Sequence, residues 1–310
     1  MLNPEIFEKK LQKICPNFKG KSFLLTVSGG VDSMVLAHLF LVSELKFEIA
    51  HINYKLRAED SNLDQKLVEM FCERNQIKCH IYEISEKDQK PENSVQLWAR
   101  NLRYDYFFKI LEKENLDFIV TAHHLNDELE TFLINLSRGS GIKGLSGIPA
   151  NENKILRPLL GFSKSEIYDF ADENKIEFRE DKTNAKNDYL RNEFRNKIVP
   201  EIEKISPNFL EQFGDSISYL HSANQFIQEE INKTISEISG NFDSDEFSIN
   251  KKELLKKEPF ISSEIIRKLG FSGDEIHKVL SAENGKFFRS KTHEIRITAI
   301  DILCCKKKSK

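Results

Sequence analysis

Short apolar runs alternate with longer amphipathic stretches through the first half of the chain, and turn residues punctuate them. Residues 23–27 are apolar, Ser28-Gly29-Gly30 breaks the run, and residues 34–45 follow with helical spacing, which predicts strand, loop and helix. The same alternation predicts strands at 47–53, 77–84 and 118–123, each followed by a helix, at 62–74, 94–114 and 127–137. Four such units in a row predict a doubly wound α/β domain with a parallel sheet. Ligands of such sheets bind beyond the carboxyl ends of the strands. The chemistry-bearing residues cluster at those ends: Ser28 to Ser33, His51 to Arg57, and His123 to Glu130.

After Gly161 the pattern changes to a helix at 163–174, a polar stretch at 181–187, and a helical segment from Tyr189 that is expected to stop by Pro200. Ser206-Pro207 reads as a helix start, opening a long acidic helix from about 209 to 235. The remainder mixes short helices with a hairpin at 286–297, whose alternation predicts exposed strands, and ends in a frayed Lys306-Lys307-Lys308-Ser309-Lys310. The expected division is a catalytic domain at 1–205, a helical connector at 206–241 and a small basic α+β domain at 242–310.

Composition narrows the class without naming a function. The 310 residues are 39% hydrophobic and 31% charged, with 13 Gly and 8 Pro, which excludes disordered, collagenous and disulfide-stapled chains. No apolar run approaches the ~20 residues of a membrane span, and the start Met1-Leu2-Asn3-Pro4-Glu5 does not resemble a secretory signal. A cytoplasmic protein is expected. Cys15, Cys72, Cys79, Cys304 and Cys305 form no Cys-x-x-Cys pair, against a zinc ribbon or an iron–sulfur site. The net charge of −3 hides an uneven distribution. Residues 201–250 hold 2 Lys and Arg against 10 Asp and Glu, whereas residues 251–310 hold 15 against 8, so the basic charge lies at the end, where a polyanion could meet it.

Ser28-Gly29-Gly30-Val31-Asp32-Ser33 combines backbone N–H groups at a helix start with two hydroxyls, a natural anion cradle. It is neither a Walker A loop nor a dinucleotide fingerprint. Asp32 beside a polyphosphate makes sense if a divalent cation, Mg²⁺, bridges the two negative charges. Asp127 and Glu130 are spaced i, i+3 and share a helix face.

Ser-Gly-Gly-Val-Asp-Ser resembles the pyrophosphate-loop signature of ATP-dependent adenylating enzymes. Further segments are similar, in order, to the tRNA(Ile)-lysidine synthetases: His51-Ile52-Asn53-Tyr54-Lys55-Leu56-Arg57, Ala99-Arg100-Asn101-Leu102-Arg103-Tyr104, Thr121-Ala122-His123-His124 through Thr131, Arg138-Gly139-Ser140-Gly141, Arg157-Pro158-Leu159-Leu160, Asp181-Lys182-Thr183-Asn184 and Arg191-Asn192-Glu193-Phe194-Arg195. The resemblance covers residues 22–200. Tyr54, Glu128 and Phe178 depart from the family's pattern, which often has His, Gln and Trp there.

The resemblance implies an enzyme that uses ATP and Mg²⁺ to adenylate the wobble cytidine of a CAU-anticodon isoleucine tRNA, after which free L-lysine displaces AMP. It implies catalytic roles for Asp32, His123, Asp127 and Glu130, with Asp32 and Asp127 the metal ligands. Ser28, Gly29, Gly30, Val31, Asp32, Ser33, His51 and Asn53 would hold ATP. Arg100, Arg103, Arg138, Arg191 and Arg195 would hold tRNA or nucleotide. Spacing leaves open which of Asp127 and Glu130 meets metal and which meets lysine. A homodimer and no membrane partner complete the expectations. Two alternatives stand beside this reading: another pyrophosphate-loop enzyme, such as a tRNA thiolase or an amide-forming ligase, and a catalytically silent tRNA-binding protein.

Overall fold

The computed structural model describes residues 1–55, 59–89, 91, 95–180, 189–242 and 244–307. Leu56, Arg57, Ser94, the polar stretch at 181–187 with Asp181-Lys182-Thr183-Asn184, and Lys308-Ser309-Lys310 lie outside the described residues. Two compact units emerge, Met1–Ser218 and Tyr219–Lys310.

In the first unit Asn3 opens α1 (Pro4–Ile14), its Oδ1 accepting the Ile6 N–H at 2.9 Å while Pro4 takes a first-turn position that needs no N–H. This helix is not among the expected elements. The predicted alternation follows as β1 (Ser22–Thr26), α2 (Val31–Val42), β2 (Lys46–Asn53), α3 (Glu59–Arg74), β3 (Cys79–Glu83), α4 (Val95–Lys113), β4 (Phe118–Val120) and α5 (Leu125–Ser137). Next come α6 (Ile142–Leu145), the short strands β5 (Asn151–Glu152) and β6 (Ile155–Leu156), and α7 (Lys164–Glu173). The sheet order is β3-β2-β1-β4-β6-β5, parallel except for the β5–β6 pair.

Phe23, Leu24 and Leu25 of β1 are fully buried, because helices cover both faces of a central parallel strand. Phe7, Leu36, Phe40, Ile167 and Phe170, from α1, α2 and α7, fill one layer. Phe107, Ile110 and Leu111 of α4 pack in a separate cluster with Leu24 and Ile119. The chain runs outward from β1 to β3 and then returns to the other side of β1 at β4. That reversal sets the loops after β1 and β4 side by side.

The segment from Tyr189 does not stop at Pro200. It runs α8 (Tyr189–Glu193), a π turn (Phe194–Ile198) and α9 (Val199–Ile205) without a break. The wide turn re-phases the hydrogen bonds, so Pro200 falls in the first turn of α9, where its missing N–H costs nothing. α10 (Phe209–Ile238) follows as expected for the long helix.

The second unit contains β7 (Glu246–Asn250), α11 (Lys251–Leu255), α12 (Pro259–Lys268), α13 (Asp274–Leu280), β8 (Phe287–Arg289), β9 (His293–Ile297) and β10 (Asp301–Lys306). Its sheet is antiparallel in the order β7-β10-β9-β8. The hairpin at 286–297 is present, but Ser290, expected on an exposed strand, is buried. Its Oγ donates to the Leu269 carbonyl at 2.5 Å, satisfying the end of α12. Lys306 is not frayed: it closes β10 and donates its N–H to Asp245 at 2.7 Å. No helix among the described residues is long and apolar enough to cross a membrane.

Candidate active site

α2 begins at Val31 rather than 34, which brings the signature hexapeptide into the helix start and places Asp32 on its first turn. Gly30 is the N-cap and supplies no side-chain cap, so the first-turn N–H groups and the positive end of the helix dipole face outward, free for an anion. Gly29 sits at φ +93°, and a Cβ there would lie 3.3 Å from the Asp64 carbonyl oxygen. Arg179 locks this turn: its N–H donates to the Gly29 carbonyl at 3.0 Å, and its guanidinium donates to Asp64 and Asp60 at 2.8 Å each. Gly29→Ala is therefore expected to destabilise the first unit by about 1–3 kcal/mol, read by thermal melting. The Ser33 hydroxyl donates to the Gly30 carbonyl at 2.9 Å and accepts the Ser28 N–H at 3.1 Å, so Ser33 shapes the loop from within.

Across the switch point, α5 starts at Leu125 with His124 as its N-cap, and Asp127 returns a hydrogen bond to the His124 N–H at 3.2 Å. The buried His124 side chain links two carboxylates, its Nε2 lying 3.8 Å from Asp32 Oδ1 and 3.5 Å from Asp127 Oδ2. Burial pushes the Asp32 carboxyl above the ordinary range, against the pull of His124. Burial acts the same way on Asp127 but is outweighed by His124, whose charge and backbone N–H both favour the carboxylate, and by Arg195, which together hold that carboxyl low. Glu130, one turn on and 2% exposed, receives Arg195 in a two-pronged contact, Nε to Oε1 at 2.5 Å and Nη2 to Oε2 at 2.9 Å. Arg195 Nη2 also reaches Asp127 Oδ1 at 3.4 Å, and Arg191 Nε approaches Glu130 Oε2 at 3.3 Å. Burial raises the Glu130 carboxyl despite these cations.

Ser28, Asp32, Ser33, His123, Asp127, Arg103 and Arg191 line one cavity of about 300 Å³ beyond the ends of β1 and β4. Arg103 is held there by Tyr54, donating Nε to its hydroxyl at 2.9 Å. His123 bonds Thr121 at 2.8 Å, and burial, aided by the Arg157 and Arg100 charges against Asp127, pushes its imidazole down to about 4. His123 is thus neutral at pH 7. An NMR titration should find its ring unchanged between pH 6 and 8; a midpoint near 6.5 would refute this.

Other expected ligands lie elsewhere. His51 is buried behind the loop, its Nδ1 2.8 Å from the Val27 carbonyl, and Asn53 spends its amide on Asn62 and Gln65 at 3.0 and 2.9 Å. Both hold β2 to the loop and to α3 rather than line the cavity. Arg100 is exposed, stacked over Tyr104 at 5.0 Å. Arg138 caps the opposite end of α5 from Asp127, roughly 15 Å along the axis, and Gly139 beyond it takes φ +68°, the ordinary left-handed helix cap.

Residues 3–202 match the model of the PP-loop domain, and residues 242–297 match that of the TilS substrate binding domain. A tRNA(Ile)-lysidine synthase from Petrotoga mobilis is 34% identical over 274 residues, 84% of each chain. The chain belongs to the tRNA(Ile)-lysidine synthase family. Those of Enterococcus faecalis and Chlorobaculum tepidum are 35% and 38% identical over 70% and 62% of this chain, which spans 48% and 60% of their lengths. The U34-tRNA thiolase NcsA from Methanococcus maripaludis, 18% identical, superposes over 70% of this chain and 79% of its own with a TM-score of 0.58, a likeness of fold.

In this member of the tRNA(Ile)-lysidine synthase family the site also contains His124 and Arg179, to which the sequence motifs assign no role. His124 joins Asp32 to Asp127, and its signal is the His124-x-x-Asp127 capping spacing. Arg179, which fixes the glycine turn, follows Phe178 in no recognisable motif. Among the described residues no three His, Cys, Asp or Glu side chains converge as a metal cage. Mg²⁺ does not require one, since it takes one or two carboxylates and completes its shell with phosphates and water. Asp32 Oδ1, buried and accepting no hydrogen bond, fits that role.

Proposed function

We propose that the chain ligates lysine to position 2 of the wobble cytidine in a CAU-anticodon isoleucine tRNA, through an adenylated RNA that releases pyrophosphate and then AMP. The observation that carries this reading is the meeting, at the β1/β4 switch point, of an uncapped helix start with the carboxylates Asp32 and Asp127, while Glu130 lies outside the cavity lining, one turn along α5 and buried against Arg195. The names of the relatives support the same substrate. The first-turn N–H groups of α2 would hold the ATP phosphates. Asp32, with Asp127 nearby, would hold Mg²⁺, which supplies charge neutralisation and orientation to the polyphosphate. Adenylation turns a poor leaving oxygen into a stable phosphate monoester.

Lysine, with a side-chain pKa of about 10.4, has one amine in roughly 2,500 neutral at pH 7. A buried carboxylate with a raised pKa is suited to bind that ammonium and accept its proton. Glu130 is such a group, and because Arg195 donates to both of its oxygens, lysine binding there requires Arg195 to give up part of that contact. Arg103, Arg191 and the basic region 251–310 would meet the RNA, with salt-sensitive affinity. The working division remains a catalytic part at 1–205, a connector at 206–241 and a substrate-binding part at 242–310, in a cytoplasmic enzyme.

The test supplies ATP, Mg²⁺, radiolabelled lysine and the isoleucine tRNA transcript bearing CAU, and counts acid-stable label on the RNA. Incorporation lost when the wobble cytidine is changed supports the reading. ATP cleavage without incorporation would point to another nucleophile within the adenylating class, and neither would leave the silent tRNA-binding alternative.

A further inference from the structure

The second unit buries one face of its antiparallel sheet and leaves the other open. Ile249, Ile295, Ile297, Ile302 and Cys304 point into a core shared with Ile265 and Ile266 of α12. The alternate residues of the same strands face outward, and they include two large apolar side chains, Phe287 at 50% exposure and Leu303 at 43%. Strand register sets them either side of Arg296: Phe287 pairs with Arg296, and Arg296 with Leu303. The Arg289 guanidinium lies 5.0 Å from the centre of the Phe287 ring and also pairs with Glu294 at 2.9 Å. The outward rows also hold Glu294, Glu246 and, at one end of β10, Asp301 beside Arg289 and Arg296, and Lys286 and Lys291 add positive charge just beyond the ends of the hairpin strand β8.

We propose that this open face binds an unpaired nucleotide of the RNA, its base stacked on the Phe287 ring and its flanking phosphates on Arg289 and Arg296. The proposal rests on the reading that the chain acts on RNA, and names where the second unit touches it. A half-exposed ring contributes little to the fold but offers a flat apolar platform. Bases stack on such a platform, and guanidinium groups beside it serve both base and phosphate. The excess of cations belongs to the hairpin 286–297 and not to the β7 and β10 part of the face, so it is the hairpin edge that fits a polyanion and disfavours a second copy of itself.

The test measures binding of the full chain to the isoleucine tRNA transcript bearing CAU by fluorescence anisotropy, at several salt concentrations. Phe287→Ala and Phe287→Leu should weaken binding about 5- to 150-fold, the range for losing one stacked base. Phe287→Tyr should stay within about 2-fold, since the ring is kept. Arg296→Gln should lower the slope of log Kd against log salt by about 1. Melting temperatures should not move. Cys305 is exposed on this face, in register with Glu294, so tRNA should slow its alkylation by N-ethylmaleimide in the unaltered protein. Unchanged affinity in Phe287→Ala, with the parent chain binding tRNA, would overturn this face alone. A parent chain that does not bind tRNA would overturn the proposed function with it. A change in oligomeric state without a change in affinity would reassign the face to contact between copies.

Discussion

Asp32→Asn is expected to lose about 10²–10³-fold in tRNA-dependent ATP–pyrophosphate exchange, the usual cost of removing one preorganised charge-stabilising group, while tRNA binding persists. The same substitution should raise the melting temperature of the cation-free protein at pH 7 by about 1–3 °C. Burial holds the Asp32 carboxyl above its ordinary range, so ionising it opposes folding. For a pKa raised on folding, that penalty is present in full above the folded value and absent below the unfolded one, about 3.9. The gain from Asn should therefore shrink as the pH falls through the acid range. Exchange at the parent rate would remove Asp32 from the chemistry, and an unchanged melting temperature at pH 7 would remove the argument from burial.

Arg195→Ala should cost about 3 kcal/mol of stability, because it strips the two-pronged partner from Glu130, whose side chain is 3% exposed. Arg191, 3.3 Å from the same carboxylate, limits the loss. Glu130→Gln in the Arg195→Ala background should recover most of that stability, since no buried charge is then left uncompensated. Lysine transfer should not recover with it. The destabilisation in Arg195→Ala should also fade at acid pH, where a raised carboxyl is already protonated in the folded state. Equal loss in the single and double variants, measured by denaturant unfolding, would show that Arg195 acts through packing instead of through Glu130.

Much of this architecture is legible in the sequence, because it rests on local rules. The apolar runs at 23–27 and 47–53 are strands because parallel strands bury both faces, and Ser28-Gly29-Gly30 can only be a tight turn into a helix. Asp127 and Glu130 share a helix face by spacing alone. The errors have local causes too. The start of α2 at Val31 was masked because Val31-Asp32-Ser33 carries no helical stripe until the helix is packed on all sides. Pro200 signals a helix end unless a π turn precedes it, and nothing in the residues 194–198 announces one.

The sequence by itself determined the α/β alternation, the glycine turn at a helix start and the shared helix face of Asp127 and Glu130, since each follows from backbone preference or from residues a few positions apart. Tertiary structure decided what those groups face. Glu130 meets Arg195 65 residues away, Asp64 meets Arg179 115 residues away, and Asn53 turns inward to Asn62 and Gln65 rather than toward a ligand. These pairings depend on strand order and on which charges are taken out of water together. Both are properties of the packed chain, which no local pattern of hydrophobic and polar residues encodes.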